Sequence, residues 1–131
     1  MIVKIPTMDD AIIINSRVTG MELAAVRQSV QIGLLDSALR APLAGFGDTD
    51  LYPHDHQRLA VLCSRIVLNH PFLDGNKRTG FLLMLRAAHL ADIDLKFPDQ
   101  NEVSDRIAAL AAGELDEDRF ADYINGRLGR E

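Results

Sequence analysis

The stretch Asn76-Lys77-Arg78-Thr79-Gly80-Phe81-Leu82-Leu83-Met84-Leu85-Arg86-Ala87-Ala88-His89-Leu90-Ala91 decides the fold. Phe81, Leu82, Leu83, Met84, Leu85, Ala87, Ala88 and Leu90 spread apolar surface around nearly the whole helix circumference. A helix of that kind belongs in the middle of a bundle. Upstream, Leu59, Leu62, Ile66 and Val67 recur at spacings of three and four in a run that Asp55 opens and Pro71 stops. His70, directly before that proline, is pushed out of α geometry. Between positions 21 and 39, Leu23, Val26, Val30, Leu34 and Leu35 share one helical face, and Pro42, Gly45 and Gly47 then break the chain into a loop reaching about Pro53. Downstream, Asn101 caps a run to about Ala112 that Gly113 closes. Asp116 opens a last helix with Glu117 and Asp118 in its first turn and Arg127 near its end, both suited to the helix dipole.

Only 5% of the residues are aromatic, none is Trp, and alternating β-branched runs are few, so little in the chain favours a sheet. The expectation is an all-α protein: a single compact helical bundle over residues 1–131, with 76–91 as its buried central helix. No repeat or linker divides it. With 131 residues and 47% hydrophobic content, one domain can bury roughly two-thirds of its unfolded surface. A lone Cys63 in an apolar run allows no intramolecular disulfide and no thiolate metal cage, which fits a reducing compartment. The segment 1–6 lacks the apolar core and cleavage site of a secretory leader, and no apolar run approaches the roughly 20 residues of a membrane span. A cytoplasmic protein with no membrane contact is expected. A net charge of −5 argues against direct nucleic-acid binding over a long phosphate footprint, though a local basic cluster can still hold one small anion.

Such a cluster stands where the run 76–91 begins. Asp74-Gly75-Asn76-Lys77-Arg78 puts two cations in a first turn whose backbone dipole is already positive. The conflict disappears if an anion sits there, held by free backbone N–H groups, by Gly75 allowing close approach, and by both side chains. Arg78 can grip a phosphate with two parallel hydrogen bonds, and Lys77 adds a mobile point charge. Asp74 would repel that anion unless a cation lay between them, and Mg²⁺ commonly takes one or two carboxylates plus substrate phosphates. His70 lies just upstream with an imidazole suited to accept an alcohol proton near neutral pH. The bland reading of the same residues is a polar cap, ordinary Asp-Gly-Asn turn chemistry and a core aromatic at Phe72. On general physics alone the two readings are evenly matched.

The string His70-Pro71-Phe72-Leu73-Asp74-Gly75-Asn76-Lys77-Arg78-Thr79-Gly80 resembles the signature of the Fic/Doc family, His-x-Phe-x-acid-Gly/Ala-Asn-Gly/Lys-Arg. Gly33-Leu34-Leu35-Asp36-Ser37-Ala38-Leu39 and Asp50-Leu51-Tyr52-Pro53 resemble the small death-on-curing toxin branch of that family, so the likeness covers about 30–119. The resemblance implies that His70 deprotonates a target hydroxyl, Phe72 anchors the loop, Asp74 holds Mg²⁺, and Asn76, Lys77 and Arg78 hold the phosphates of ATP. The family's commonest activity is AMP transfer, with Gly after the Asn and a second Arg three residues beyond the first. Here Lys77 and Phe81 stand at those positions. Both departures match the toxin branch, which implies a kinase transferring the γ-phosphate of ATP to a threonine of elongation factor Tu. Gly75 departs from that toxin, which has Ala, and keeps AMP transfer as the alternative. No Ser or Thr is followed four residues later by Glu, the family's inhibitory pattern, so inhibition is expected from a separate antitoxin. The glycine-rich loop at 43–52 is read equally as a flap that pairs with an extended stretch of target or as a plain connection.

Two other classes compete. Asp50, His54, Asp55, His56 and His70 can be read as ligands of a metal-dependent phosphohydrolase built on a His-Asp pair, but no histidine precedes His54 to complete such a site. For His54, His56 and His89 the plain reading is a solvated helix end, and for Cys63 a core position. A non-catalytic binding module that keeps the fold is the third possibility, and the intact His70, Asp74, Asn76 and Arg78 set argues against it.

Overall fold

Thr7 starts the first helix of the computed structural model, which describes residues 5–129 apart from the Phe46 side chain. The reading of the first four residues lies outside this range. The Thr7 hydroxyl accepts from Asp10 N (3.1 Å) while the Asp10 carboxylate accepts from Thr7 N (2.9 Å). This reciprocal cap satisfies two backbone donors that a helix start leaves unpaired. Helix α1 (Met8–Thr19) runs from there to Gly20. The continuous face expected over 21–39 is instead two helices, α2 (Leu23–Ser29) and α3 (Ile32–Arg40), broken where Val30 and Gln31 are extended. The Gln31 amide donates across the molecule to the carbonyl of Pro71 (2.9 Å), a tertiary bond that an unbroken helix could not make. Val26, Val30 and Leu35 are buried as read, whereas Leu23 and Leu34 are 38% and 37% exposed because the break turns them outward.

A single 3-10 turn, Ala41–Leu43, leads into a two-stranded antiparallel hairpin, β1 (Gly45–Phe46) and β2 (Thr49–Asp50), in the loop expected at 43–52. Helix α4 (Asp55–Asn69) follows, with Leu59, Leu62, Ile66 and Val67 all buried as their spacing requires. Helix α5 (Asn76–Leu90) packs against it, and Gly80 makes the approach possible. A Cβ at Gly80 would stand 3.0 Å from the Cys63 carbonyl oxygen and 3.2 Å from a Val67 methyl.

The centre of the bundle corrects the sequence reading. Helix α4, not α5, is the most buried: it packs against α3 and α5 and also against α6 (Gln100–Ala111) and α7 (Glu117–Asn125). Residues 58–64 of α4 are buried without interruption, while Leu82 of α5 is 36% exposed. Helix α6 also begins earlier than expected, because Asp99 rather than Asn101 caps it, accepting from Asn101 N (3.0 Å) and Glu102 N (3.3 Å). Asp116 caps α7 through Arg119 N (2.8 Å). Phe81, Phe97, Tyr123 and Phe120 link α5 to α7 through successive ring contacts, the first edge-to-face at 5.4 Å between centroids. The protein is all-α apart from the hairpin, and no helix among the described residues is long and apolar enough to cross a membrane.

Candidate active site

The segment joining α4 to α5 is short and heavily tied. His70 ends α4 in the left-handed region (φ 53°, ψ 54°), its N–H bonded to Ile66 O (3.1 Å). The proline that follows does keep His70 out of right-handed α geometry, yet the conformation adopted is one that non-glycine residues rarely hold. Phe72 is 3% exposed in the core. Its N–H donates to Asn76 Oδ1 (3.0 Å) and its carbonyl accepts from Asn76 Nδ2 (2.9 Å). Asn76 is only 5% exposed, and this closed ring of bonds spends both ends of its side chain. The Asn76 side chain is thus tied into the loop through its oxygen and one N–H.

Gly75 precedes α5 with φ 74°, so it adopts a turn that L side chains resist. The first bond of α5 runs from Thr79 N to Gly75 O (2.8 Å). The N–H groups of Asn76, Lys77 and Arg78 therefore lie ahead of the helical ladder, at its positive end. Lys77 and Arg78 are both exposed there, and neither has an ion-pair partner among the described residues. Asp74 is exposed beside them, one carboxylate oxygen accepting from Gly75 N (2.8 Å). Asp74 is the carboxylate here that could hold a divalent cation such as Mg²⁺, which commonly takes one or two carboxylates.

These groups converge on a cavity of about 440 Å³ whose lining includes His70, Asp74, Gly75, Lys77 and Arg78. A second cavity of about 380 Å³ shares Lys77 and Arg78 and continues along Phe81, Val103 and Ile107 between α5 and α6. The structure thus brings the motif residues to one mouth, with Lys77 and Arg78 shared by both chambers. It separates the rival metal set, since His54 and His70 cap opposite ends of a 15-residue helix, roughly 24 Å apart at 1.5 Å per residue. Among the described residues no cluster of three or more His, Cys, Asp or Glu can hold a metal.

Residues 6–88 match the Fic/DOC family. The chain belongs to the Fic/Doc family. It is also 30% identical, over 95 residues, to Toxin Doc of Mycolicibacterium smegmatis, covering 72% of this chain and 73% of that one. No solved structure is a significant match. Fic/Doc proteins are transferases that act on proteins, and this chain falls in that class. Sequence reasoning missed Asn15, whose amide reaches the motif from α1, because α1 shows no sustained apolar stripe. The available signal was the Thr7-x-x-Asp10 capping pattern with Gly20 closing the run.

Proposed function

We propose that this chain is a toxin that transfers the γ-phosphate of ATP to a Ser or Thr hydroxyl of a translation factor in the cytoplasm. By the family resemblance the expected target is elongation factor Tu, and a separate antitoxin neutralises the activity. The observation that carries the reading is the pair of exposed cations at the positive end of α5, neither with an ion-pair partner among the described residues. As apoprotein this arrangement is unfavourable, and a polyphosphate gives it a balance of charge.

In the proposed step the target oxygen attacks the γ-phosphorus, the bond from that phosphorus to the β–γ bridging oxygen breaks, and ADP leaves. His70 at the cavity wall takes the hydroxyl proton on a ring nitrogen. Arg78, Lys77 and the three leading N–H groups hold the phosphate oxygens in line, where positioning and charge stabilisation supply nearly all of the catalysis. Mg²⁺ bound at Asp74 would neutralise phosphate charge. Phe81 lines the adjoining chamber where AMP transferases carry their second arginine, so the chain has one fewer cation for a second phosphate-binding position.

AMP transfer is the alternative, and its sequence support was Gly75. That residue is accounted for by the fold: its φ is 74°, and an added Cβ would stand 2.8 Å from a Thr19 methyl. Incubation with purified elongation factor Tu and ATP labelled at the γ or the α phosphate separates the two. Label from γ, lost in His70→Ala, supports the kinase. Label from α establishes AMP transfer and overturns it. Neither label, in a chain whose expression is harmless without antitoxin, favours a binding module.

A further inference from the structure

Asn15 sits in α1, 59 residues from Asp74 in the chain, and is 1% exposed. Its amide nitrogen donates to the backbone carbonyl of Asp74 (2.8 Å) and to the hydroxyl of the fully buried Thr79 (3.1 Å). Both N–H bonds of the amide are then used, one on each side of the turn that starts α5. The carbonyl of Asn15 itself accepts from the Thr19 hydroxyl (2.7 Å). Thr19 and Val18 meanwhile form the wall against Gly75, where a Cβ would come within 2.8 and 3.1 Å of their methyls. The end of α1 is therefore a seat shaped for one peptide unit.

That peptide unit controls the site. It is planar, so fixing the Asp74 carbonyl fixes the opposite direction of the Gly75 N–H. The Gly75 N–H in turn holds one oxygen of the Asp74 carboxylate at 2.8 Å. The orientation of the carboxylate and of the leading N–H groups of α5 thus follows from an amide on another helix. We propose that Asn15 is a positioning residue of the nucleotide site, setting the Asp74 carboxylate and the anion-binding end of α5 for a divalent cation and its triphosphate. This rests on the nucleotide-binding reading given above. Groups that orient a metal ligand from behind commonly change metal affinity or activity by about 10–100-fold when removed.

The test uses the full chain. Asn15→Asp keeps the side-chain size but cannot donate, and Asn15→Ser is a milder change whose hydroxyl is too short to span both partners. Binding of a non-hydrolysable ATP analogue is titrated calorimetrically with and without Mg²⁺. In parallel, the backbone amide resonances of Gly75 and Asn76 are followed by NMR. Ile124→Ala in α7, a buried position that lines neither cavity at the motif, serves as a destabilised control. The expected result is a rise of about tenfold or more in the Mg²⁺-dependent dissociation constant for the Asn15 variants. The change without Mg²⁺ should be smaller, the Gly75 amide should shift, and the control should show none of these effects. Wild-type affinity in either folded Asn15 variant, or the same loss in Ile124→Ala, overturns the inference. If the wild type binds no nucleotide, the functional reading fails, and an unmoved Gly75 amide in Asn15→Asp then overturns the positioning role by itself.

Discussion

Arg58 Nη2 stands 3.2 Å from Asp50 Oδ2, so a guanidinium buried in α4 takes its nearest carboxylate from the hairpin. Asp55 is farther, at 3.9 Å, and Nη1 of Arg58 has no hydrogen-bond partner among the described residues. Two turns along the same face, Arg65 donates to the Tyr52 hydroxyl (3.2 Å) while holding Glu117 of α7 at 2.9 and 3.3 Å. Segment 50–52 is thus tied to α4 at both ends. Asp50→Asn is expected to speed hydrogen exchange of the Leu51 amide, which bonds to Ala44 O (2.9 Å), and to sensitise 43–52 to proteolysis. Because the Asp50 side chain is 63% exposed, the global cost should stay near about 1 kcal/mol. Leu51 exchange identical to wild type would show that the hairpin's own backbone holds it.

His70 carries backbone strain at the residue proposed to take the proton. A left-handed conformation costs an L residue about 1–2 kcal/mol relative to glycine. His70→Gly should therefore unfold at a higher urea midpoint than His70→Ala, by about 1 kcal/mol in stability, although both remove the imidazole and the transferase activity. Coincident midpoints would mean that the chain bears no strain there. Strain held at a residue proposed for chemistry fits the tendency of such conformations to persist where the surroundings over-determine them.

Cys63 is fully buried, and burial pushes its thiol up from 9.0 to about 12. Its folded pKa lies above its unfolded value, so its contribution to stability is complete below about pH 9 and is lost as pH rises through 9 toward 12. The native protein should resist iodoacetamide at pH 8 and react only on unfolding, while Cys63→Ser should weaken the alkaline loss of stability between pH 9 and 12. Rapid alkylation of the folded chain would refute the burial of this thiol.

How far the fold could be read in advance depended on whether a local pattern or a distant bond decided each element. Helix α4 was legible because its buried positions repeat at three and four residues and Pro71 follows its end. The division of 21–39 was not, because the Gln31 to Pro71 bond that breaks the helix joins residues 40 apart in sequence. Helix α1 was passed over for want of a strong apolar stripe, and with it Asn15. The candidate site was the most legible part, since its charge conflict is compressed into Asp74-Gly75-Asn76-Lys77-Arg78. Burial of the Asn76 amide was not visible, because a polar side chain beside two cations gives no sign of facing inward.

Asn76 and Arg78, two residues apart, should respond to mutation in opposite ways, since one serves the loop and the other is proposed to serve the ligand. Asn76→Leu removes the partners of the Phe72 N–H and carbonyl in a buried setting, where unmet polar groups cost about 1–3 kcal/mol each. Its melting temperature should fall markedly with or without nucleotide. Arg78→Ala instead removes an exposed cation from the positive end of α5, so the apoprotein should keep its stability or gain about 0.3 kcal/mol at low ionic strength. The gain should vanish in high salt. Affinity for an ATP analogue should nonetheless drop by roughly tenfold or more, the weight of a charge-assisted hydrogen bond. Thermal scans of both variants beside calorimetric titrations decide the matter. Were Arg78→Ala to lose stability as Asn76→Leu does, the cation would be structural, and the claim that an anion completes the charge balance of α5 would fall.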